Sequence, residues 1–393
     1  MKRLAITGLG IVSPQGVGRP AFMGALRDPE AARRRAFGRT PTVFEGATVP
    51  QGRVAEVWDF DPAEWLGPKG HRNFDRLTKF LIVAAKHALQ DAGLERDGER
   101  VGVPGERIGV CAATAYGSLD AITELNRVAE LEDPRYINPT RFPNTVINSS
   151  AGYVSIWAGL RAPNTTIVDG NCGALDAVLS AETHLGHGRG DVFLVGGGEV
   201  LSEPLLLAFR RLGALADSDG PGEQSGLHLG EGATFACAEE LEAARARGAQ
   251  VLATFDGYGT AFEPPESEAR LVHASPKAVR RAVAGALEDA GVAPGEVDVV
   301  CAAASGLGDL DDAEREGLRA VLGDEVAIAA PKRVDGETFG AAGAFGVAHA
   351  LAWMDGAPVG PLLAGDPPGE VRTVLVHALG YYGNSSAVVV RSA

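Results

Sequence analysis

The sequence predicts an α/β protein made of two related halves, residues 1–250 and 251–393, and three observations carry that expectation. The opening strand RLAITGLG at 3–10 has a counterpart in LATFDGYG at 252–259. A helical segment ending ALQDAGL at 88–94 has a counterpart ending ALEDAGV at 286–292. Each helix then runs into an apolar strand, RIGVCAATAYG at 107–117 and EVDVVCAAASG at 296–306. Strands alternating with helices of this length imply mixed or parallel sheets covered by helices on both faces.

The elements follow in order within each half. Over 74–94, Leu77, Phe80, Leu81, Ala84 and Ala88 fall on one face at helical spacing. Over 275–292, Ser275 supplies the N-cap and Pro276 the first helical residue. The strand Thr165 to Asp169 and the helix beginning at Asn171 correspond to the strand Val326 to Ala330 and the helix around Phe339 to Trp353. DVFLVGGGEV at 191–200 corresponds to TVLVHALGYYG at 373–383. A pseudo-twofold between such halves brings strand ends and helix N-termini to one crevice, the usual ligand position in α/β proteins.

Composition narrows the class. The chain has 393 residues, 45% hydrophobic, with 52 glycines and 23 prolines, enough for a substantial core. Acidic residues outnumber basic ones 51 to 36, a net charge of -15, and the one basic block is Arg33 to Arg35, read as a solvated loop or helix turn. That balance disfavours nucleic acid and anionic membrane as partners. MKRLAITGLG has no apolar signal region, and no apolar run is long enough to span a bilayer. Cys111, Cys172, Cys237 and Cys301 lack CxxC spacing, so neither a metal site nor a disulfide framework is expected, and the natural setting is cytoplasmic.

The segment TTIVDGNCGALDAV at 165–178 is the focus of the candidate site, because a strand there turns into a small-residue helix. Unpaired N–H groups and the positive end of the dipole at such a helix start favour a thiolate or an oxyanion. Asn171 and Cys172 compete for that place.

The blocks ITGLGIVSPQG, FDRLTKFLIVAAKHALQDAGL, LGEGATFACAEELEAARARGA, PKRVDGETFGAAGAFG and ALGYYGNSSAVVV resemble the β-ketoacyl synthase family over nearly the whole chain. The resemblance implies a thiolase-like fold, two duplicated βαβαβαββ-type halves forming an αβαβα layered core. It also implies a site in which a cysteine accepts the acyl chain, and histidines of HGTxT and KxxxGHxxGAAG segments stabilise the enolate or oxyanion.

Carried over position by position, the resemblance leaves that site without its chemistry. Lys332, Gly336 and Gly340 to Gly343 match the second segment without a gap and put Glu337 at its histidine. Keeping Asp311 and Glu314 in register puts Ala303 at the first histidine; shifting the match to recruit Ser305 breaks that agreement. Counting from Gly159 to Asn164 upstream, and from Leu175 and Asp176 downstream, puts Asn171 at the nucleophile and Cys172 one place beyond. No catalytic residue is therefore expected at Asn171, Ala303 or Glu337, and Cys172 is the possible displaced nucleophile.

The pattern resembles the chain length factors, or ketosynthase β subunits, of type II systems, which pair with an active ketosynthase. A relative with glutamine at the cysteine position decarboxylates malonyl groups but keeps both histidines, which this chain lacks. The resemblance implies a noncatalytic subunit of polyketide, aryl polyene or fatty-acid-like biosynthesis, working with an active ketosynthase in a heterodimer and with an acyl carrier protein that presents acyl-phosphopantetheine. No cofactor of its own and no metal are expected. It further implies a retained network of Lys332, Asp311 and Glu314, a gating loop with Tyr381, Tyr382 and Asn384, and tunnel or interface side chains Tyr116, Leu119, Ile122 and Thr123. Arg72, Arg210 and Arg211 are possible contributors to carrier docking. The competing readings are a stand-alone acyltransferase or thioesterase-like enzyme using Cys172 with Glu337 as base, and a homodimeric scaffold.

Overall fold

A computed structural model describes residues 2–44, 54–216, 226–267 and 272–393. Its main sheet contains β1 (Leu4–Ser13), β2 (Ile108–Ala113), β3 (Asn164–Ile167), β4 (Val192–Glu199), β5 (Gly232–Glu240), β6 (Ala253–Phe262), β7 (Val299–Cys301), β8 (Ala327–Ala329), β9 (Leu362–Ala364), β10 (Thr373–Leu379) and β11 (Asn384–Ser392). The hydrogen-bonded order is β9-β8-β7-β10-β11-β6-β1-β5-β4-β2-β3, and a two-residue strand Gly16–Val17 pairs with β1. The order makes the duplication plain. From β1 outward the pairings are two antiparallel then two parallel, and from β6 outward they are the same, with β9 added at the far edge. The halves join where Leu4, Ala5 and Ile6 of β1 pair antiparallel with Phe255, Thr254 and Ala253 of β6.

Both joining strands carry a bulge at the same place, between Ile6 and Gly8 and between Phe255 and Gly257. Helix α1 (Arg76–Asp91) lies on β1, and each bulge lets a helix carboxylate cap a freed backbone donor. The Leu9 N–H donates to Asp91 Oδ2 at 2.9 Å, and the Tyr258 N–H donates to Asp289 Oδ2 at 2.9 Å. Asp91 and Asp289 are the aspartates of the two matched DAG segments, so the sequence repeat is also a repeat of hydrogen bonds.

The other helices that frame the core and the site are α2 (Leu119–Leu131), α3 (Ser149–Ala158), α4 (Gly173–Gly186), α5 (Glu203–Arg211), α6 (Pro276–Ala290), α7 (Gly308–Leu322), α8 (Lys332–Asp335) and α9 (Ala342–Met354), and further helices span Arg19–Ala25, Pro29–Phe37, Pro62–Leu66 and Leu241–Ala246. Ser275 caps α6 by accepting from Lys277 N, with Pro276 at its first position, as the sequence requires. Outer helices α1 and α6 cover β1 and β6, while α4 and α9 pack on each other and on strands of both halves. That is the αβαβα layering expected. The central helices are the most apolar for this reason; α9 buries every residue from Gly343 to Trp353, because it has no solvent face. Leu175, Val178, Phe255, Phe345, Leu351 and Val376 form the core shared between the halves.

The approach of α1 and α6 to their strands depends on missing side chains. A Cβ on Gly10 would lie 1.9 Å from the Ala84 carbonyl oxygen, and one on Gly259 would lie 2.1 Å from that of Ala282. Gly10→Ala and Gly259→Ala are each expected to destabilise the protein by about 2 kcal/mol or more through overpacking. Gly24→Ala, in the helix Arg19–Ala25 where an added Cβ meets nothing within 4 Å, is expected to be neutral or stabilising. Denaturant midpoints of the three variants check the contrast.

Candidate active site

Two helix starts and one strand turn meet between the halves. A short 3-10 turn, Gly170–Cys172, leads into α4 and places Asn171; a second, Phe339–Ala341, leads into α9 just after Glu337. Tyr381 lies in the turn between β10 and β11, and Ala303 follows the end of β7. Asn171, Ala303, Glu337 and Tyr381 are all buried.

Glu337 is the hub of this crevice. Its Oε2 accepts from Lys332 Nζ at 2.7 Å, from the Tyr381 hydroxyl at 2.9 Å and, more weakly, from Asn171 Nδ2 at 3.4 Å; its Oε1 accepts from the Phe339 N–H at 2.8 Å. Its backbone is tied as well, with Glu337 N–H donating to His228 O and Gly230 N–H donating to Glu337 O. A carboxylate so supplied with donors offers none to a substrate oxygen. Burial, followed by the Glu337 charge, pushes the Tyr381 phenol well above its ordinary range, so it remains a donor.

Aromatic rings fill the adjoining space. Phe339 is fully buried and has a φ of 44°, an uncommon conformation for a bulky residue. Its ring meets Tyr116 and Phe209 at 5.2 Å between centroids and Tyr381 at 6.4 Å. The turn carrying Tyr116 is fixed by Glu199 at the end of β4, which accepts from Thr114 Oγ1, Ala115 N, Tyr116 N and Gly340 N. Ser118 donates its hydroxyl to Asp75, the N-cap of α1. Glu199, Phe209 and Phe339 escaped the sequence reading; Glu199 follows a glycine run that resembles an ordinary strand end, and the rings lie far apart in the chain.

The other anticipated polar residues work mainly on loops. Asp311 accepts from Ser305 N and Gly306 N, each at 2.9 Å, and Glu314 accepts from Ala303 N at 2.6 Å and pairs with His377 Nδ1 at 2.5 Å. Lys332 is instead committed to Glu337. Burial raises the Asp311 carboxyl to about 6. The Ala303 to Gly306 segment is thus held by carboxylates but presents no imidazole.

Cys172 is fully buried, with Sγ 3.5 Å from the Ala378 carbonyl oxygen, and burial drives its thiol far above the ordinary range. That environment suits a packed thiol rather than a nucleophile. One turn along α4, Asp176 Oδ1 accepts from the Tyr258 hydroxyl and from Ser386 Oγ, both at 2.7 Å. Burial, with Asp169 nearby, raises the Asp176 carboxyl to about 7.

Of the loop pair, Tyr381 is buried and points inward while Tyr382 is 63% exposed, so only the first of the two tyrosines enters the crevice. Asn384 ties the turn down by donating from Nδ2 to Asp169 O at 3.2 Å. Leu119 and Ile122 are half-buried and Thr123 is exposed, with its hydroxyl donating to Leu119 O. Within this single chain α2 buries no residue completely. Arg72, Arg210 and Arg211 are exposed. Among the described residues no cluster of His, Cys, Asp or Glu could hold a metal ion, and no helix is long and apolar enough to cross a membrane.

Two expectations follow from these groups. Glu337→Ala strands the Lys332 ammonium, 10% exposed, and removes the acceptor of the Tyr381 and Phe339 donors, so denaturant unfolding is expected to show a loss of about 3–5 kcal/mol. Asp176 and Glu199 both have folded values of about 7, above their ordinary 3.8 and 4.5. The folded chain therefore holds these protons more tightly, and the stability they contribute is present at low pH and lost as pH rises through about 7. Their contribution lowers the melting temperature from pH 5.5 to 8.5, and Asp176→Asn, neutral throughout, is expected to make that decline shallower.

Comparison with known proteins agrees with this architecture. The family model for the β-ketoacyl synthase N-terminal domain matches residues 1–244, and that for the C-terminal domain matches 252–366. The 3-oxoacyl-[acyl-carrier-protein] synthase 2 of Coxiella burnetii is 30% identical over 99% of this chain and 98% of its own. Putative polyketide beta-ketoacyl synthase 2 of Streptomyces coelicolor is 32% identical over 99% and 95%. Among solved structures, the ishigamide ketosynthase/chain length factor superposes with a TM-score of 0.85 at 24% identity, covering 100% of this chain and 99% of that one. The ketosynthase ApeO in complex with its chain length factor ApeC from Xenorhabdus doucetiae gives 0.78 at 16% identity, covering 100% and 98%. With the duplicated halves, the convergent helix starts and both domain matches in agreement, the chain belongs to the β-ketoacyl synthase family.

Proposed function

We propose that this chain is the noncatalytic, chain-length-determining partner of an active ketosynthase in a type II pathway. The observation that carries the reading is the state of Glu337: at the place where the family uses an imidazole donor stands a carboxylate bonded to Lys332, Tyr381 and Phe339. Asn171 beside it offers no nucleophile, and Ala303 offers a methyl group. The burial of Cys172 does not favour the stand-alone enzyme.

The surface supports a partner. Among the described residues β3 ends the sheet with a neighbour on one side only, and Ile156, Val168, Ile147, Phe142 and Leu131 nearby are exposed. The half-buried α2 side chains Leu119 and Ile122 belong to the same region of chain and are the candidates for setting tunnel depth across that interface. Two of the similar solved structures are a ketosynthase/chain length factor and a ketosynthase in complex with its chain length factor, and a third is an acyl carrier protein in complex with its ketosynthase. An active ketosynthase subunit and a phosphopantetheine-bearing acyl carrier protein are accordingly the proposed partners.

Reconstitution tests this. Condensation of carrier-bound malonyl units is expected from the chain mixed with a cysteine- and histidine-complete ketosynthase, unchanged by Cys172→Ala and abolished by removing the partner's cysteine. An acyl adduct on the isolated chain that disappears in Cys172→Ala would refute the reading in favour of an enzyme in its own right. In the working pair, Leu119→Ala or Ile122→Ala is expected to lengthen the products, read by mass spectrometry; unchanged lengths remove these side chains from the tunnel.

A further inference from the structure

The turn that covers Asn171 is fastened more firmly than a surface loop requires. Gly380 N–H donates to Asn384 O at 2.9 Å, His273 N–H to Tyr381 O at 2.8 Å and Glu263 N–H to Gly383 O at 3.0 Å. Asn384 reaches Asp169 just before the 3-10 turn that holds Asn171. The deepest anchor is the Tyr381 hydroxyl, which crosses the crevice to Glu337 Oε2. Its acceptor is immobilised by Lys332 and by the backbone bonds at 228, 230 and 339. The ring lies against Phe209 and Phe339, so phenol and aromatic cluster together shut the space above Asn171.

We propose that Tyr381 is a specificity-determining residue: its bond to Glu337 bars a carrier-borne acyl thioester from this chain's own crevice and so leaves the partner's site as the sole destination. The inference rests on the noncatalytic reading above, and it adds the atom responsible. A phenyl ring at 381 fills the same volume but cannot bond Glu337, and hydrogen bonds to charged groups are among the stronger ones in folded proteins. The turn then opens by local rather than global unfolding.

A reporter thiol at position 171 tests the lock without any condensation assay. The four native cysteines are buried, and peptide-resolved mass spectrometry reads position 171 separately. In Asn171→Cys, alkylation by iodoacetamide and by an α-bromoacyl pantetheine is expected to be slow. Adding Tyr381→Phe should accelerate both roughly 10- to 100-fold, while hydrogen exchange in 173–186 stays unchanged. Glu337→Gln, which keeps an acceptor without the charge, should give a smaller acceleration. A reporter that reacts at once like an exposed thiol, a Tyr381→Phe rate within about twofold of the parent, or an equal rise in exchange throughout α4 would each overturn the proposal. Failure of the noncatalytic reading would show instead in the reconstituted condensation, which does not depend on labelling at 171.

Discussion

The fold depends on how closely two helices approach the two strands that join its halves. Gly10 and Gly259 let the carbonyl edges of α1 and α6 come within distances that no side chain permits. The bulges beside them release one donor each, and Asp91 and Asp289 take those donors. Because β1 and β6 make the junction of the main sheet between the halves, this packing sets the position of everything beyond them, including the helix starts at 171 and 339.

Upon that frame the crevice has become a piece of protein interior. Here Glu337 is completed by Lys332, Tyr381 and Phe339, and four aromatic rings occupy the adjoining volume. A buried ion pair contributes little net stability against apolar residues of the same size, but it is costly to break from one side. Such a pair therefore fixes one arrangement of the turn at 336–340 more than it strengthens the fold.

The edge formed by α2 and β3 has the opposite character. Among the described residues α2 buries no side chain completely, β3 has no neighbour on its outer side, and large apolar groups around them meet solvent. The buried polar groups at 171 and 337 are thus satisfied within the chain, and the exposed apolar groups near β3 are not.

The sequence by itself determined the duplication, the order of elements, the caps at Ser275 and Pro276, and the residue types at 171, 303 and 337, because each rests on local spacing or on residue type. It could name Lys332, Asp311 and Glu314 but not their separate tasks, and it could name Tyr381 and Tyr382 but not which of the two turns inward. Only the tertiary structure decided these points. Side-chain direction at a turn follows from backbone angles and from what lies opposite, and the acceptor opposite Tyr381 is 44 residues away in the chain. The same holds for Glu199, Phe209 and Phe339, which the fold brings together from three elements of both halves and which no periodicity links.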